Sequence, residues 1–492
     1  MNKFLRHIVL IIIIASFSLN GNAQNLFRYL DQLSSNKGYF TVKPVLGNQK
    51  VFYFTCGVGD PAYDHPEEVD LEALYREIHD TTKIPKRKVV LDWCKDHFFE
   101  TNFISIEKND CCIKINPLFI FEGRKMKGDD TSSMLTRNTR GIEAFGKLGG
   151  HIAYYTSFYE NQGGFFPYEK EYIDKYDVIP GQGHGKEFKE TQLDWAWVTG
   201  HIYVRASRNL EFVLGYGKNF IGHGYRSIIL SDQAFNYPYV RSQVSLFDRK
   251  LFFNSIWAQM QSWNHDSDFV SNNHTFHYAT YNVLGWNPQV LRGVNLSLIH
   301  GITWKKSQKS NFLAADLRVS PFRELNIYAQ TRYDKDNNPD KKFGYQAGFE
   351  IFDVFELFRI NDFLAVLKNV GATRSYRNPL QWHIQAEYNS NPLTGLNPLQ
   401  DQCSFSHYSE PLQFSLDKET LFISDLTIYN RVEISLMHSD SNIRKYTDIK
   451  LSLIANRTTG WRIYGGGYKR NDETYFYIGT SICPERRYER EM

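Results

Sequence analysis

The densest run of residues able to do chemistry is Gly215-Tyr216-Gly217-Lys218-Asn219-Phe220-Ile221-Gly222-His223-Gly224-Tyr225-Arg226-Ser227, which continues through Leu230-Ser231-Asp232 to Asn236-Tyr237-Pro238-Tyr239. Closely spaced glycines permit positive φ and close backbone approach, so the run reads as a folded loop. Nucleotide binding is not its chemistry. A dinucleotide fingerprint begun by Gly215 and Gly217 needs glycine at 220, where Phe220 stands, and no G-x-x-x-x-G-K-S/T run occurs in the chain. Lys218 and Arg226 have the charge to hold an acidic sugar, and Tyr225, Tyr237 and Tyr239 have faces on which sugars stack. Asn219, His223, Ser231, Asp232 and Asn236 complete the set of saccharide-binding or loop-anchoring candidates. The plainer reading of the same residues is a loop packed into a larger structure and pinned by Arg226.

Catalytic and metal chemistry find little support. There is no Gly-x-Ser-x-Gly elbow and no His-Glu-x-x-His helix. Ser231 and His223 form the one nearby nucleophile and base pair, whereas Asp129-Asp130 and Ser231-Asp232 read as turn and loop carboxylates. His184 and His223, each between glycines, are too isolated for a metal site. Of the six cysteines, Cys111 and Cys112 are adjacent and none forms a C-x-x-C pair with Cys56, Cys94, Cys403 or Cys483, which argues against zinc. Most read as buried thiols, with one bridge among Cys56, Cys94 and the 111/112 pair as the alternative. No enzyme, cofactor or metal is expected.

What must position the loop follows from composition and periodicity. The 492 residues include 36 Phe, 31 Tyr and 9 Trp, which excludes a disordered chain. Mean hydropathy is only -0.45, which excludes a bundle of membrane helices. Lys3 and Arg6 precede the apolar stretch Ile8 to Phe17 and the small-x-small site Gly21-Asn22-Ala23, so 1–23 reads as an export signal. Without it the charge is near +1, and nothing advertises nucleic acid. No later stretch reaches the ~18 apolar residues of a spanning helix, which leaves a β-barrel as the membrane option.

Residues 24–110 read as a small α+β cap or plug. Leu71, Leu74, Tyr75 and Ile78 mark one helix, Val89, Val90, Trp93 and His97 a second, and Leu26 to Leu33 a shorter one. Tyr39 to Val45 and Lys50 to Thr55 suggest a hairpin turning at Leu46-Gly47-Asn48. Tyr168, Tyr172 and Tyr176 predict a short amphipathic loop helix. From about Cys111 the period is two. In Trp195 to Ala206, Ala196, Val198, Gly200, Ile202, Val204 and Ala206 share one face, opposite Trp195, Trp197, Thr199, His201, Tyr203 and Arg205. The pattern recurs in Leu210 to Tyr216, Leu313 to Val319, Ile327 to Tyr333, Phe343 to Ile351, Trp382 to Tyr388, Leu426 to Leu436 and Tyr475 to Ile482. Short turns (Ser207 to Asn209, Pro321 to Glu324) alternate with long polar segments (218–250, 262–276, 389–424), as in outer-membrane barrels. The fold class is therefore all-β: a transmembrane antiparallel barrel over 111–483, with room for about 16 to 20 strands, and a charged tail at 484–492. Lipid would wet its apolar face, and closure would leave no unpaired edge.

At the glycine-rich run the chain resembles the Wzi-like capsule-assembly barrels, and within them the Bacteroidetes members known as gliding motility protein RemB. Asn138-Thr139-Arg140-Gly141, Tyr159-Glu160-Asn161-Gln162, Val178-Ile179-Pro180-Gly181-Gln182-Gly183 and His407-Tyr408-Ser409-Glu410-Pro411-Leu412 carry the same likeness. The resemblance implies an outer-membrane barrel of about 18 strands with a helical periplasmic element, assembled by the barrel assembly machinery. It further implies a non-catalytic role in holding exopolysaccharide at the cell surface, or in surface adhesion and gliding. A transport pore and a barrel hydrolase acting on lipid or glycan are the competing readings. The 389–403 segment departs from the family pattern, and the chain ends in Glu485-Arg486-Arg487-Tyr488-Glu489-Arg490-Glu491-Met492 where an aromatic would be expected.

Overall fold

A computed structural model describes residues 43–45, 49–51 and 102–482, apart from 109–110, 129–133, 150, 177–178, 180–181, 190–191, 208, 231–235, 248–249, 264–273, 289–292, 306–307, 323–324, 335–342, 359–379, 391–417, 429–430, 442–444 and 457–460. Two short strands, β1 (Lys43–Val45) and β2 (Gln49–Val51), pair antiparallel on either side of 46–48, where the hairpin was expected. The predicted cap helices, the export signal and the charged tail lie outside the described residues.

The first strands after the cap are β3 (Ile104–Lys108), β4 (Cys111–Met126), β5 (Leu135–Leu148), β6 (Ile152–Gly164), β7 (Lys186–Phe188), β8 (Gln192–Ser207), β9 (Leu210–Gly217) and β10 (Tyr237–Leu246). Next come β11 (Leu251–Trp263), β12 (His274–Trp286), β13 (Val294–Lys305), β14 (Gln308–Phe322), β15 (Leu325–Asp334) and β16 (Phe343–Ile351). The last are β17 (Leu380–Ser390), β18 (Glu419–Ile428), β19 (Val432–Ser441), β20 (Lys445–Asn456), β21 (Trp461–Arg470) and β22 (Glu473–Ile482). Helix α1 (Pro167–Tyr176) follows β6, and the single turn α2 (Val354–Leu357) follows β16. Eighteen of these strands close an antiparallel barrel in sequence order, with β22 meeting β4 from Tyr475↔Met126 to Ile482↔Phe119. The short β3 and β7 add to β4 and β8.

The sequence alternation sets which way each side chain points. In β8, Trp195, Trp197, Thr199, His201 and Tyr203 are buried inward, while Val198 and Ile202 are exposed outward. In β16, Phe343, Tyr345 and Phe349 face out and Gln346 and Glu350 face in. The distribution is reversed from that of a soluble sandwich: Leu298, Leu313, Ile449 and Ile478 are exposed, and Arg332, Glu387, Glu419 and Glu433 are buried. Aromatic pairs mark the edges of the apolar belt. Tyr278–Trp304 (5.8 Å between ring centres), Tyr333–Phe343 (6.1 Å) and Tyr345–Tyr388 (6.0 Å) lie at one end, and Trp286, Phe322 and Phe247 at the other. Tyr278 and Trp286 are eight residues apart on β12, about 27 Å along the strand. At a tilt of about 40° that is ~20 Å of height, close to the ~25 Å apolar band of a membrane barrel.

Several expected boundaries need correction. Leu426 to Leu436 is two strands, β18 and β19, joined at 429–431. The connection has an odd number of residues, so even positions stay on the outer face through the turn and the period conceals it. The expected long segment 218–250 contains β10, whose alternation Tyr237, Tyr239, Arg241, Gln243 inward against Val240, Ser242, Val244 outward belongs to the wall. Strands reach further into the expected 262–276 and 389–424 loops than the sequence suggested, and Pro321 and Phe322 belong to β14. The end with short turns also carries one long connection, 352–379. Cys112 is buried, as most of the cysteines are expected to be, whereas Cys111 is exposed.

Candidate functional site

An 18-stranded barrel tilted by about 40° is roughly 36 Å across, wide enough to conduct unless something fills it. What fills this lumen is the loop between β9 and β10. Its limbs pair through the Ile221 N–H donating to the Leu230 carbonyl (3.0 Å), and the Ser227 hydroxyl closes the bend by donating to the Ile221 carbonyl while accepting the N–H groups of Ile229 and Leu230. Gly222 sits at φ +133 with its α-carbon against the Gln330 amide: a Cβ there would lie 1.6 Å from Nε2. No other residue suits that position.

The loop spans the lumen because its two sides match two different walls. Ile221, Ile228, Ile229 and Leu230 pack on Tyr237, Phe252 and Ile256 beside their own strands. Phe220 and Tyr225 pack among Leu421, Ile423, Met437 and Tyr468, on strands from the other side of the ring. Between these apolar contacts, carboxylates of the far wall receive the main chain. Glu387 on β17 accepts the N–H groups of Tyr225 (2.6 Å) and Arg226 (3.1 Å), together with the Tyr328 hydroxyl (3.0 Å) and the Asn389 amide (2.8 Å). Glu419 on β18 accepts both Nε and Nη2 of Arg226 (3.4 Å each) and the Ser439 hydroxyl (2.6 Å). Gln346 donates to the Arg226 carbonyl (2.8 Å), Arg332 to that of Ile228 (2.9 Å) and Gln330 to that of Ile221 (3.2 Å). His223 lies 3.1 Å from Asp316, whose other oxygen takes the Gln330 amide (2.8 Å). Buried carboxylates and guanidinium are tolerated because each finds a partner.

Helix α1 is a second insert from the same end. Pro167 occupies its first position, where a missing N–H costs nothing, and Glu169 reaches back to accept the Phe166 N–H (2.7 Å), half of a capping box. The other Glu169 oxygen receives Arg124 Nη1 (2.6 Å), and Arg124 Nη2 donates to the Gly164 carbonyl (2.6 Å). Ile173 packs against Trp195 and Trp197, and Phe166 joins the cluster holding Phe220 and Tyr225, so the inserts share one core. Burial, with the Glu169 carboxylate beside it, holds the Tyr168 phenol well above its ordinary pKa. Tyr168 therefore meets the Tyr468 hydroxyl (2.9 Å) as a neutral group.

The candidate residues fall into three groups. Asn219, Tyr225, Arg226, Asn236, Tyr237 and Tyr239 are all buried. The Asn219 N–H donates to the Tyr237 hydroxyl (3.1 Å), Asn236 donates to Val198 and Thr199 of β8, and Tyr239 meets His201 (2.9 Å). In this conformation none of the three tyrosines has a face open to a sugar. Lys218 and His223 are half-buried, and Ser231 and Asp232 lie outside the described residues. The far-wall anchors Asp316, Gln330, Glu387 and Glu419 escaped the sequence reading. Their one signal was a charged or amide residue at an inward position of a strand. On the end that bears the long connections, Lys170, Glu171 and Asp174 of α1 are exposed, and Lys189 lies 5.1 Å over the ring of half-buried Phe188.

No family model and no curated protein matches the sequence. Among solved structures the chain is similar to Wzi, an outer-membrane protein involved in group 1 capsule assembly in Escherichia coli and a carbohydrate-binding β-barrel. The identity is 11% and the TM-score 0.45 over 75% of this chain and 85% of Wzi. It is also similar to Pseudomonas aeruginosa OpdK, crystallised with vanillate (8%, 0.41, covering 75% and 98%), and to a mutant of Rh. blastica porin (10%, 0.34, covering 75% and 99%). At these identities the likeness is one of fold.

Proposed function

We propose that this chain is an outer-membrane barrel with a self-filled lumen that holds exopolysaccharide at the cell surface and catalyses no reaction. The observation that carries the non-conducting part is the reception of Tyr225, Arg226 and Ile228 by Glu387, Glu419 and Arg332 across the lumen. A loop fixed at both walls leaves the barrel its outer surface to work with. The ligand class is what the sequence resemblance implies, and a neutral to slightly basic chain suits an acidic polymer. The short-turn end, with the termini of the barrel, faces the periplasm, and α1 and the β9–β10 loop face outward. There the Phe188 ring with Lys189, and Lys186 two residues before it on β7, offers a stacking face and positive charge.

Deleting the gene tests this reading: polymer is expected to be made in normal amounts but shed into the medium. Normal retention in the deletion strain would contradict it. Phe188→Ala with Lys189→Ala is expected to reduce retention while leaving barrel assembly intact. Capsule retention, adhesion and gliding would draw on the same outer surface, so the strain is also scored for surface attachment and spreading.

A further inference from the structure

The outer wall carries a polar row where hydrocarbon should be. Ser242 of β10, Ser255 of β11, Asn282 of β12 and His300 of β13 are direct cross-strand neighbours in register, and all four point away from the lumen. Asn282 is midway between the girdle residues Tyr278 and Trp286, and His300 is four residues from Trp304, so both lie about 13 Å along the strand from the nearest belt edge. The Ser255 hydroxyl donates to Asn282 Oδ1 (2.8 Å). Among the described residues nothing meets Asn282 Nδ2 or either nitrogen of His300. Two outward hydroxyls elsewhere are satisfied within the wall: Ser424 accepts from Trp382 (2.9 Å), and Thr480 donates to the Arg462 carbonyl (2.8 Å). Lipid tails offer no hydrogen bond, so an amide and an imidazole there are costly unless another protein surface supplies one.

We propose that the β10–β13 wall is a two-fold interface with a second copy of this chain. The depth of the row argues for a copy. Two copies inserted in the same sense place each residue at the height of its own counterpart, and a two-fold axis along the membrane normal makes the two rows cross at their centres. Because the row crosses strands tilted by about 40°, its ends differ in height by roughly 9 Å and only its centre comes level with its copy: Asn282 and Ser255 lie near the axis, where each Asn282 Nδ2 faces the amide and hydroxyl oxygens of the other copy. Four strands about 4.8 Å apart over the height of the belt give a face roughly 20 Å by 20 Å in projection. Trp257, 62% exposed and two residues from Ser255, stands out from that face as the most exposed large apolar side chain of the four strands.

The test is the mass of the full chain in lipid nanodiscs or mild detergent, by native mass spectrometry and light scattering over a dilution series. The natural chain is expected to be a dimer. Asn282→Leu with His300→Leu is expected to raise the dissociation constant at least tenfold and leave a monomer that still shows the heat-modifiable gel mobility of a folded barrel. His300→Gln, which keeps a hydrogen-bonding group, is expected to stay dimeric, as is Ile449→Leu on the opposite wall. A natural chain that is monomeric throughout, including one that retains lipid on this wall, would overturn the proposal. So would a Leu/Leu variant that dimerises like the natural chain.

Discussion

Glu387 shows how little chemistry is needed to hold a loop across a wide lumen. A carboxylate has about four acceptor sites, and here they take two consecutive main-chain N–H groups, a phenol and an amide. Glu387→Gln turns one acceptor oxygen into a donor facing those N–H groups. A cost of about 1–3 kcal/mol follows from leaving a buried donor unmet, read as a lower unfolding temperature and faster protease cleavage within 218–230. Gly222→Ala acts twice, through its left-handed backbone and its contact with Gln330. Adding Gln330→Ala is expected to recover only part of the lost thermal stability, because the backbone strain remains; full recovery would show that the contact alone mattered. Arg226 was legible from the sequence as a pin, since a lone arginine in a glycine-rich run must be balanced if buried. Its partners were not, because Glu387 and Glu419 are 161 and 193 residues away along the chain, and local spacing carries no trace of such pairing.

At the scale of elements, α1 stands on one buried charge pair. Glu169→Ala leaves the Arg124 guanidinium buried without its main counter-charge and removes the cap of the Phe166 N–H. A loss of about 3–5 kcal/mol is expected, measured as the shift of the heat-modifiable transition. Glu169→Leu combined with Arg124→Leu should cost less than Glu169→Ala, since no charge is then stranded. The strands themselves were readable because an inside-out barrel enforces period two on nearly every residue, as Phe343–Ile351 shows by matching β16 at both ends. Reading failed where parity or chemistry misled. The odd connection between β18 and β19 preserves the outward face, and the aromatic start of β10 reads as a binding loop when Tyr237 and Tyr239 in fact line the wall.

The whole molecule is a closed wall around contents of its own making. Outward leucines and inward charges require lipid or detergent outside, and the paired inserts require that the inside stay packed. These two features are separable. Removing the loop is expected to leave the eighteen strands and their register in place, because their ladder hydrogen bonds run from strand to strand and not through the loop. The most direct measurement of the self-filled lumen is single-channel conductance in planar bilayers, comparing the natural chain with a variant in which residues 219–229 are replaced by a short glycine-serine link. The natural chain is expected to show no steady conductance and the variant frequent, large openings. A large steady conductance from the natural chain, or an equally silent variant that is folded, would contradict the account.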